Sequence, residues 1–255
     1  MMKTDIWQNP LTGNSLTFSQ TGNIFVDEKA GKEYKIDSNG IIHFIDESNI
    51  KGSNAKSTEF YNSFSPFYEL GQKMYYSFYG GEKQARNDYL KYLDIKKGDT
   101  VLEISVGTAA NIKYLPREAE YYGLDISMGQ LVQSVKNRNK YNLPLSLCYG
   151  NAEYLPFVDN TFDVVFHIGG INLFSNKERA IQEMIRVAKS GTKILISDET
   201  EKVAKKYKKI PYFGKPFRGQ ETIVPPIGLL PDTVTDIKLE EIRHGSLYCL
   251  TFTKK

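Results

Sequence analysis

Sulfur is scarce in this chain. Only two cysteines, Cys148 and Cys249, stand among its 255 residues, each in a strand-like apolar segment. That placement predicts two buried thiols in a reducing compartment, not a disulfide or a cysteine-built metal centre. Long apolar runs are missing too, since none approaches the ~18 residues needed to span a bilayer. The opening Met1-Met2-Lys3-Thr4-Asp5 has no apolar stretch to serve as a secretory signal. The expected location is the cytoplasm. There is little net charge of either sign. A balance of +3 is too small to imply a nucleic-acid partner. No internal repeat is visible.

What remains is an ordinary globular composition, 40% hydrophobic and 25% charged. The length suits one α/β domain with a smaller appendage. Residues 1–48 carry short alternating segments at Leu16–Phe18, Asn23–Val26, Glu33–Ile36 and Ile41–Ile45. Turn signals at Thr21-Gly22-Asn23, Lys29-Ala30-Gly31 and Asp37-Ser38-Asn39-Gly40 separate them, which predicts a small antiparallel β meander. Residues 49–58 are polar and read as a linker. Between 59 and 93 strand alternation gives way to crowded aromatics, among them Tyr61, Tyr68, Tyr75, Tyr76 and Tyr79. Helices with aromatic faces are expected there, either as core or as a cap over a ligand.

From about Gly98 strand and helix patterns alternate. Strands are expected at Thr100–Ser105, Tyr121–Leu124, Leu145–Cys148, Phe162–His167 and Lys193–Ser197, with helices clearest at Met128–Lys140 and Lys177–Lys189. Such alternation implies βαβ units and a parallel sheet. Two final runs, Ile237–Ile242 and Leu247–Thr253, are joined by Arg243-His244-Gly245-Ser246. So short a link permits only antiparallel pairing. The predicted fold is α/β, a Rossmann-like, seven-stranded, mostly parallel sheet with a C-terminal antiparallel hairpin, plus the N-terminal meander.

The informative stretch is Val101-Leu102-Glu103-Ile104-Ser105-Val106-Gly107-Thr108-Ala109-Ala110-Asn111. A buried strand ends in an acid, followed by a tight turn of small residues and a helix start. Ligands of open α/β sheets bind at the carboxyl ends of the strands, and small residues let them approach the backbone. A pyrophosphate-binding turn wants G-x-G-x-x-G, whereas Gly107 is alone here and Glu103 would repel a phosphate. An acidic strand end suits a cation. Tyr121 to Ser127 forms a second strand ending in an acid, and Asp125 follows Gly107 by 18 residues, near the spacing at which an acid meets ribose hydroxyls. Gly150-Asn151-Ala152-Glu153-Tyr154-Leu155-Pro156-Phe157 comes next. Asn151 can hydrogen-bond an adenine edge, and Ala152 leaves room for the ring.

The order of these segments resembles class I S-adenosylmethionine-dependent methyltransferases, particularly the group of ubiquinone and menaquinone biosynthesis methyltransferases. Their pattern is an acid, G-x-G-x-G, an acid ending the next strand, then D-A-x-x-L-P-F and F-D-V-V. Here Ser105 and Ala109 replace the first and third glycines, and Asn151 replaces the aspartate. The resemblance implies S-adenosylmethionine as the cofactor. It places Glu103 and Gly107 at the methionine moiety, Asp125 at the ribose, and Asn151 with Ala152 at the adenine, with Ser105 and Ile126 also among the cofactor-binding residues. His167 and Ile168 would lie near the transferring methyl, and Tyr61 and Tyr68 would close over the cofactor. Residues 59–255 would form the catalytic domain, with a helical cap at 59–93 and a substrate-side insertion at 200–235. The meander is similar to a zinc-ribbon-like module in which Asn9, Thr12, Asp27 and Ala30 stand where cysteines would. Structural zinc needs Cys or His, so no zinc is expected.

Methyl transfer is a direct displacement that needs alignment and exclusion of water more than a catalytic side chain. His167 is the candidate base for a hydroxyl or amine acceptor, with Glu199 and Asn172 similarly placed. A small-molecule acceptor is the leading expectation. Lys202 to Arg218 interleaves seven basic residues with Tyr207, Tyr212, Phe213 and Phe217. That run keeps an RNA acceptor open beside a substrate lid, and the eroded glycines keep a non-catalytic scaffold open.

Overall fold

The computed structural model describes residues 3–46, 50–59, 61–62, 76–77, 79–207 and 222–255. Eleven strands fall in this part: β1 (Thr17–Ser19), β2 (Ile24–Asp27), β3 (Lys32–Lys35), β4 (Ile41–His43), β5 (Thr100–Ile104), β6 (Glu120–Asp125), β7 (Leu145–Tyr149), β8 (Val164–Ile168), β9 (Lys193–Glu199), β10 (Val234–Ile242) and β11 (Leu247–Lys254). The main described helices are α1 (Glu82–Leu90), α2 (Met128–Tyr141), α3 (Lys177–Val187) and α4 (Glu201–Tyr207).

The central sheet runs β10-β11-β9-β8-β5-β6-β7-β4. From β9 to β4 every pair is parallel, while β11 lies antiparallel to both β9 and β10. Every residue of β5 is buried, as a central strand covered on both faces requires. Glu103 is the one charged residue within that run. The chain leaves β5 toward β6 and β7, then returns on the other side through β8 and β9. The order therefore reverses beside β5, and open α/β sheets hold ligands at such a reversal, outside the strands' carboxyl ends.

The helices begin and end where their caps dictate. Ser127 accepts from Gln130 N (3.2 Å) at the start of α2, and Asn142 closes it in the left-handed region, φ 49°. Asn176 accepts from Arg179 N (2.9 Å) at the start of α3, whose buried Ala180, Ile181, Met184, Ile185 and Val187 face the sheet.

The sheet has eight strands, one more than the seven expected, and the extra one comes from the N-terminal module. β1, β2 and β3 form the antiparallel meander, but β4 leaves it and pairs parallel with β7, Ile41 opposite Leu147 and Ile42 opposite Cys148. Trp7, 1% exposed, fastens the two parts. Its ring lies 4.8 Å from Phe157, 5.5 Å from Phe44, 5.8 Å from Phe25 and 5.9 Å from Tyr122. Gln8 N donates to Pro156 O and Val158 N to Ile6 O. The segment expected as a linker is helical over 52–59 and packed down. Asn54 Nδ2 donates to Glu153 Oε1 (2.9 Å), and Ser175 N donates to Asn54 Oδ1 (3.1 Å). Among the described residues no helix is long and apolar enough to cross a membrane.

Candidate functional site

The turn leaving β5 keeps the backbone of a glycine-rich loop although two of its glycines are absent. Ser105, Gly107 and Ala109 all adopt positive φ, 56°, 56° and 58°. A side chain in that region costs roughly 1 kcal/mol, so the conformation is imposed by its surroundings. Val106 N donates to Leu124 O (3.0 Å), and Gly107 N donates to Asp125 Oδ2 (2.8 Å). Val106 also nests against Gly123, where a Cβ would stand 2.8 Å from Val106 Cγ2. Those contacts tie the tips of β5 and β6 together.

The two acids at these tips are both buried, Glu103 to 1% and Asp125 to 6% exposure. Glu103 Oε1 accepts from Asn111 Nδ2 (2.6 Å), while Oε2 is buried without a partner among the described residues. Burial pushes the Glu103 carboxyl up to about 8, against the lowering pull of the Asn111 hydrogen bond and the Arg86 charge. Asp125 also accepts Ser127 N at Oδ1 (2.8 Å). Burial outweighs its backbone hydrogen bonds and lifts it to about 6. Asn111 passes the network outward: its Oδ1 accepts from Arg86 Nη1 (2.6 Å) and from the Tyr89 hydroxyl (3.1 Å).

A cavity of about 410 Å³ opens above these tips. Glu103, Ser105, Gly107, Asp125, Ile126, Asn151, Ala152, Ile168 and Tyr61 all line it, as do Asn172 and Glu199. Asn151 Oδ1 accepts from Glu153 N (2.9 Å). Tyr68 lies outside the described residues, as does the basic-aromatic segment from 208 to 218.

His167 is a correction. It is fully buried, does not line the cavity, and sits edge-on to Phe174 with ring centroids 5.2 Å apart. Its Nδ1 donates to Ile104 O (3.1 Å), and burial holds the imidazole down at about 4, against the raising effect of that hydrogen bond. A neutral core histidine results, because side chains alternate along β8 and Ile168 takes the cavity side. The expected base is not there.

Sequence reasoning missed several lining residues. Gln130, on α2, is 3% exposed with neither amide atom hydrogen-bonded among the described residues. Asp198 accepts from Gly170 N, Asn172 N and Asn172 Nδ2 at one oxygen and from Glu199 N at the other. Arg86, Tyr89 and Arg243 complete the far part of the wall. Asn111 stands two residues beyond the turn in the stretch that carries Glu103, which is the one local signal for it. Arg243 carried no signal beyond membership of a hairpin link.

Compared with known proteins, residues 102–196 match a family model described as a methyltransferase domain. Demethylmenaquinone methyltransferase of Geobacillus sp. (strain WCH70) is 33% identical over 135 residues, covering 50% of this chain and 57% of the relative. That of Anoxybacillus flavithermus (strain DSM 21510 / WK1) is 32% identical over 148 residues, covering 52% and 62%. The chain thus spans about three-fifths of the length of these relatives. A Thermotoga maritima S-adenosylmethionine-dependent methyltransferase shares the fold with TM-score 0.58 at 17% identity, over 77% of this chain and 100% of the other. Phosphoethanolamine N-methyltransferase 2 of Haemonchus contortus, solved with S-adenosyl-L-methionine, gives 0.56 at 16% identity, over 69% and 53%.

Proposed function

We propose that the chain carries a class I S-adenosylmethionine-dependent methyltransferase domain related to those of quinone biosynthesis, and that it transfers a methyl group to a small-molecule acceptor by direct in-line displacement. One observation carries this reading. Glu103 Oε2, without a hydrogen-bond partner among the described residues, and the buried Asp125 carboxylate both line one cavity at the sheet's reversal point. Two buried acids, neither in an ion pair among the described residues, fit a cationic nucleoside and disfavour an anionic one.

When bound, S-adenosylmethionine supplies a methyl carbon made electrophilic by its sulfonium. The chain's residues do the rest. Glu103 Oε2 receives the ammonium of the methionine moiety. Asp125, whose carboxylate keeps lone pairs beyond its two backbone hydrogen bonds, receives the ribose hydroxyls. Asn151 Nδ2 donates to a ring nitrogen of adenine, with Ile126 and Ala152 as the apolar walls. The open amide of Gln130 takes a further polar group of the nucleoside or its amino acid. Removal of water strengthens each of these contacts. No side chain has to accept a proton in the displacement itself. The relatives' demethylmenaquinone activity makes a quinol-like acceptor the first to try.

The test is transfer of labelled methyl from S-adenosylmethionine to a panel of hydroquinones, phenols, amines and thiols. Label should appear on at least one acceptor and be lost with Asp125→Ala. Tight donor binding with no transfer to any acceptor would instead identify a non-catalytic member.

A further inference from the structure

The acid-lined part of the cavity has a counterpart of opposite sign. Arg86 on α1 and Arg243 at the β10–β11 link both line the cavity, with Tyr76 and Tyr89 beside them. Hairpin tips are ordinarily solvated, yet the Arg243 side chain is only 3% exposed. It is drawn inward because Arg243, His244 and Gly245 take successive positive φ values of 51°, 55° and 73°. Two of these residues have side chains, so the conformation is strained and needs support. That support is visible: Lys202 Nζ donates to His244 O and Thr200 Oγ1 to Gly245 O, both at 2.6 Å.

Helix α1 holds both guanidiniums from behind. Glu82 Oε1 accepts from Arg86 Nε and Asp88 Oδ2 from Arg243 Nε, both at 3.0 Å, and Ala85 O accepts from Arg243 Nη2. Tyrosine rings fix the planes. The Arg243 guanidinium stands 5.1 Å from the Tyr79 centroid, 5.5 Å from Tyr76 and 5.6 Å from Tyr89, and Arg86 stands 5.1 Å from Tyr76. After these contacts Arg243 Nη1 has no hydrogen-bond partner among the described residues. An oriented, mostly buried guanidinium with one open N–H on a cavity wall is a receptor for an anion.

Resting on the reading of this cavity as a methyl-transfer site, we propose that the acceptor is a small aromatic anion. Arg243 Nη1 receives its carboxylate or ionised hydroxyl, and Tyr76 and Tyr89 flank its ring. The Arg86–Asn111–Glu103 chain of hydrogen bonds links this anion-receiving part to the acids that take the cationic donor. Opposite charges on donor and acceptor thus meet opposite charges on the wall, and an acceptor oxygen or ring carbon bearing negative charge is a better nucleophile than its neutral form.

The experiment titrates benzoate and its neutral isostere benzamide into the intact chain, with and without saturating S-adenosylhomocysteine, by ligand-observed NMR. Benzoate should bind about tenfold or more tightly than benzamide, the size of one charge-assisted hydrogen bond. Arg243→Gln should abolish that preference and Arg243→Lys should keep part of it, while S-adenosylhomocysteine affinity, which also reports folding, stays unchanged in both. Equal affinities, no binding of either compound, or a preference surviving Arg243→Gln overturns the proposal. Failure of S-adenosylhomocysteine to bind overturns the donor reading alone, because the benzoate preference is still read in its absence.

Discussion

At the scale of single residues, Glu103 behaves as a carboxyl waiting for a charge. Its pKa of about 8 means that the free protein holds a proton there at neutral pH. Its ordinary value is 4.5, so this group favours folding most below pH 4.5, and that advantage is lost as pH rises through about 8. A bound cation reverses the balance by favouring the carboxylate. S-adenosylmethionine binding at pH 7 should therefore release close to one proton, seen as a dependence of the calorimetric enthalpy on buffer ionisation. No buffer dependence would refute the assignment. Glu103→Gln should raise stability above pH 8 by removing the cost of an ionised buried carboxylate, while weakening donor binding. The same scale shows where sequence reading stopped. Glu103, Asp125 and Asn151 stood out through their order at successive strand ends and not singly, and all three line the cavity. His167 was misread because one residue's offset along a strand exchanges cleft for core, and Arg243 was missed because nothing local marks a hairpin tip that folds inward.

At the scale of elements, two substitutions for ordinary residues explain themselves. The β5 turn holds Ser105 and Ala109 in glycine conformations. Ser105 lines the cavity and is only half-buried. Ser105→Gly should therefore relieve strain and stabilise the protein by about 0.5–1 kcal/mol, measured as a shift in urea midpoint. In the N-terminal module, Asn9, Thr12 and Ala30, three of the four positions where ligating cysteines were sought, gather on the fourth. The buried Asp27 carboxylate accepts from Asn9 Nδ2 (2.7 Å), Thr12 Oγ1 (3.1 Å), Asn14 Nδ2 (3.1 Å), Lys29 N (3.1 Å) and Ala30 N (3.0 Å). Burial pushes this carboxyl up, but the hydrogen bonds from Asn9, Ala30, Asn14 and Thr12 outweigh it and hold the group at about 2. A single side chain thus ties these loops together. Its contribution is present above the ordinary 3.8 and lost as pH falls through about 2. Asp27→Ala should cost about 2–4 kcal/mol by leaving these donors unsatisfied. An unchanged urea midpoint at pH 7 would contradict the account. The strand patterns and turn signals of the module were readable, but β4's departure was not. Three residues pairing with a strand about a hundred positions away leave no local trace.

At the scale of the whole molecule, alternation of strands and helices and the short final link were enough to set the sheet's direction and its closing hairpin. The reversal of strand order beside β5 then places Glu103, Gly107 and Asp125 at one opening, as their spacing in the sequence implied. The far wall of that opening is assembled from α1, the β10–β11 link and the end of β9. No single stretch encodes it, which is why that wall emerges only from the fold.

The central claim is that the acids at the tips of β5 and β6 grip a cationic nucleoside. Calorimetric titration of S-adenosylmethionine into the intact chain and into Asp125→Ala tests it most directly. Saturable binding to the former, weakened at least about tenfold in the latter by loss of charge-assisted hydrogen bonds to the ribose, is the predicted result. Absence of binding at millimolar ligand, or equal affinity in the two proteins, would contradict it.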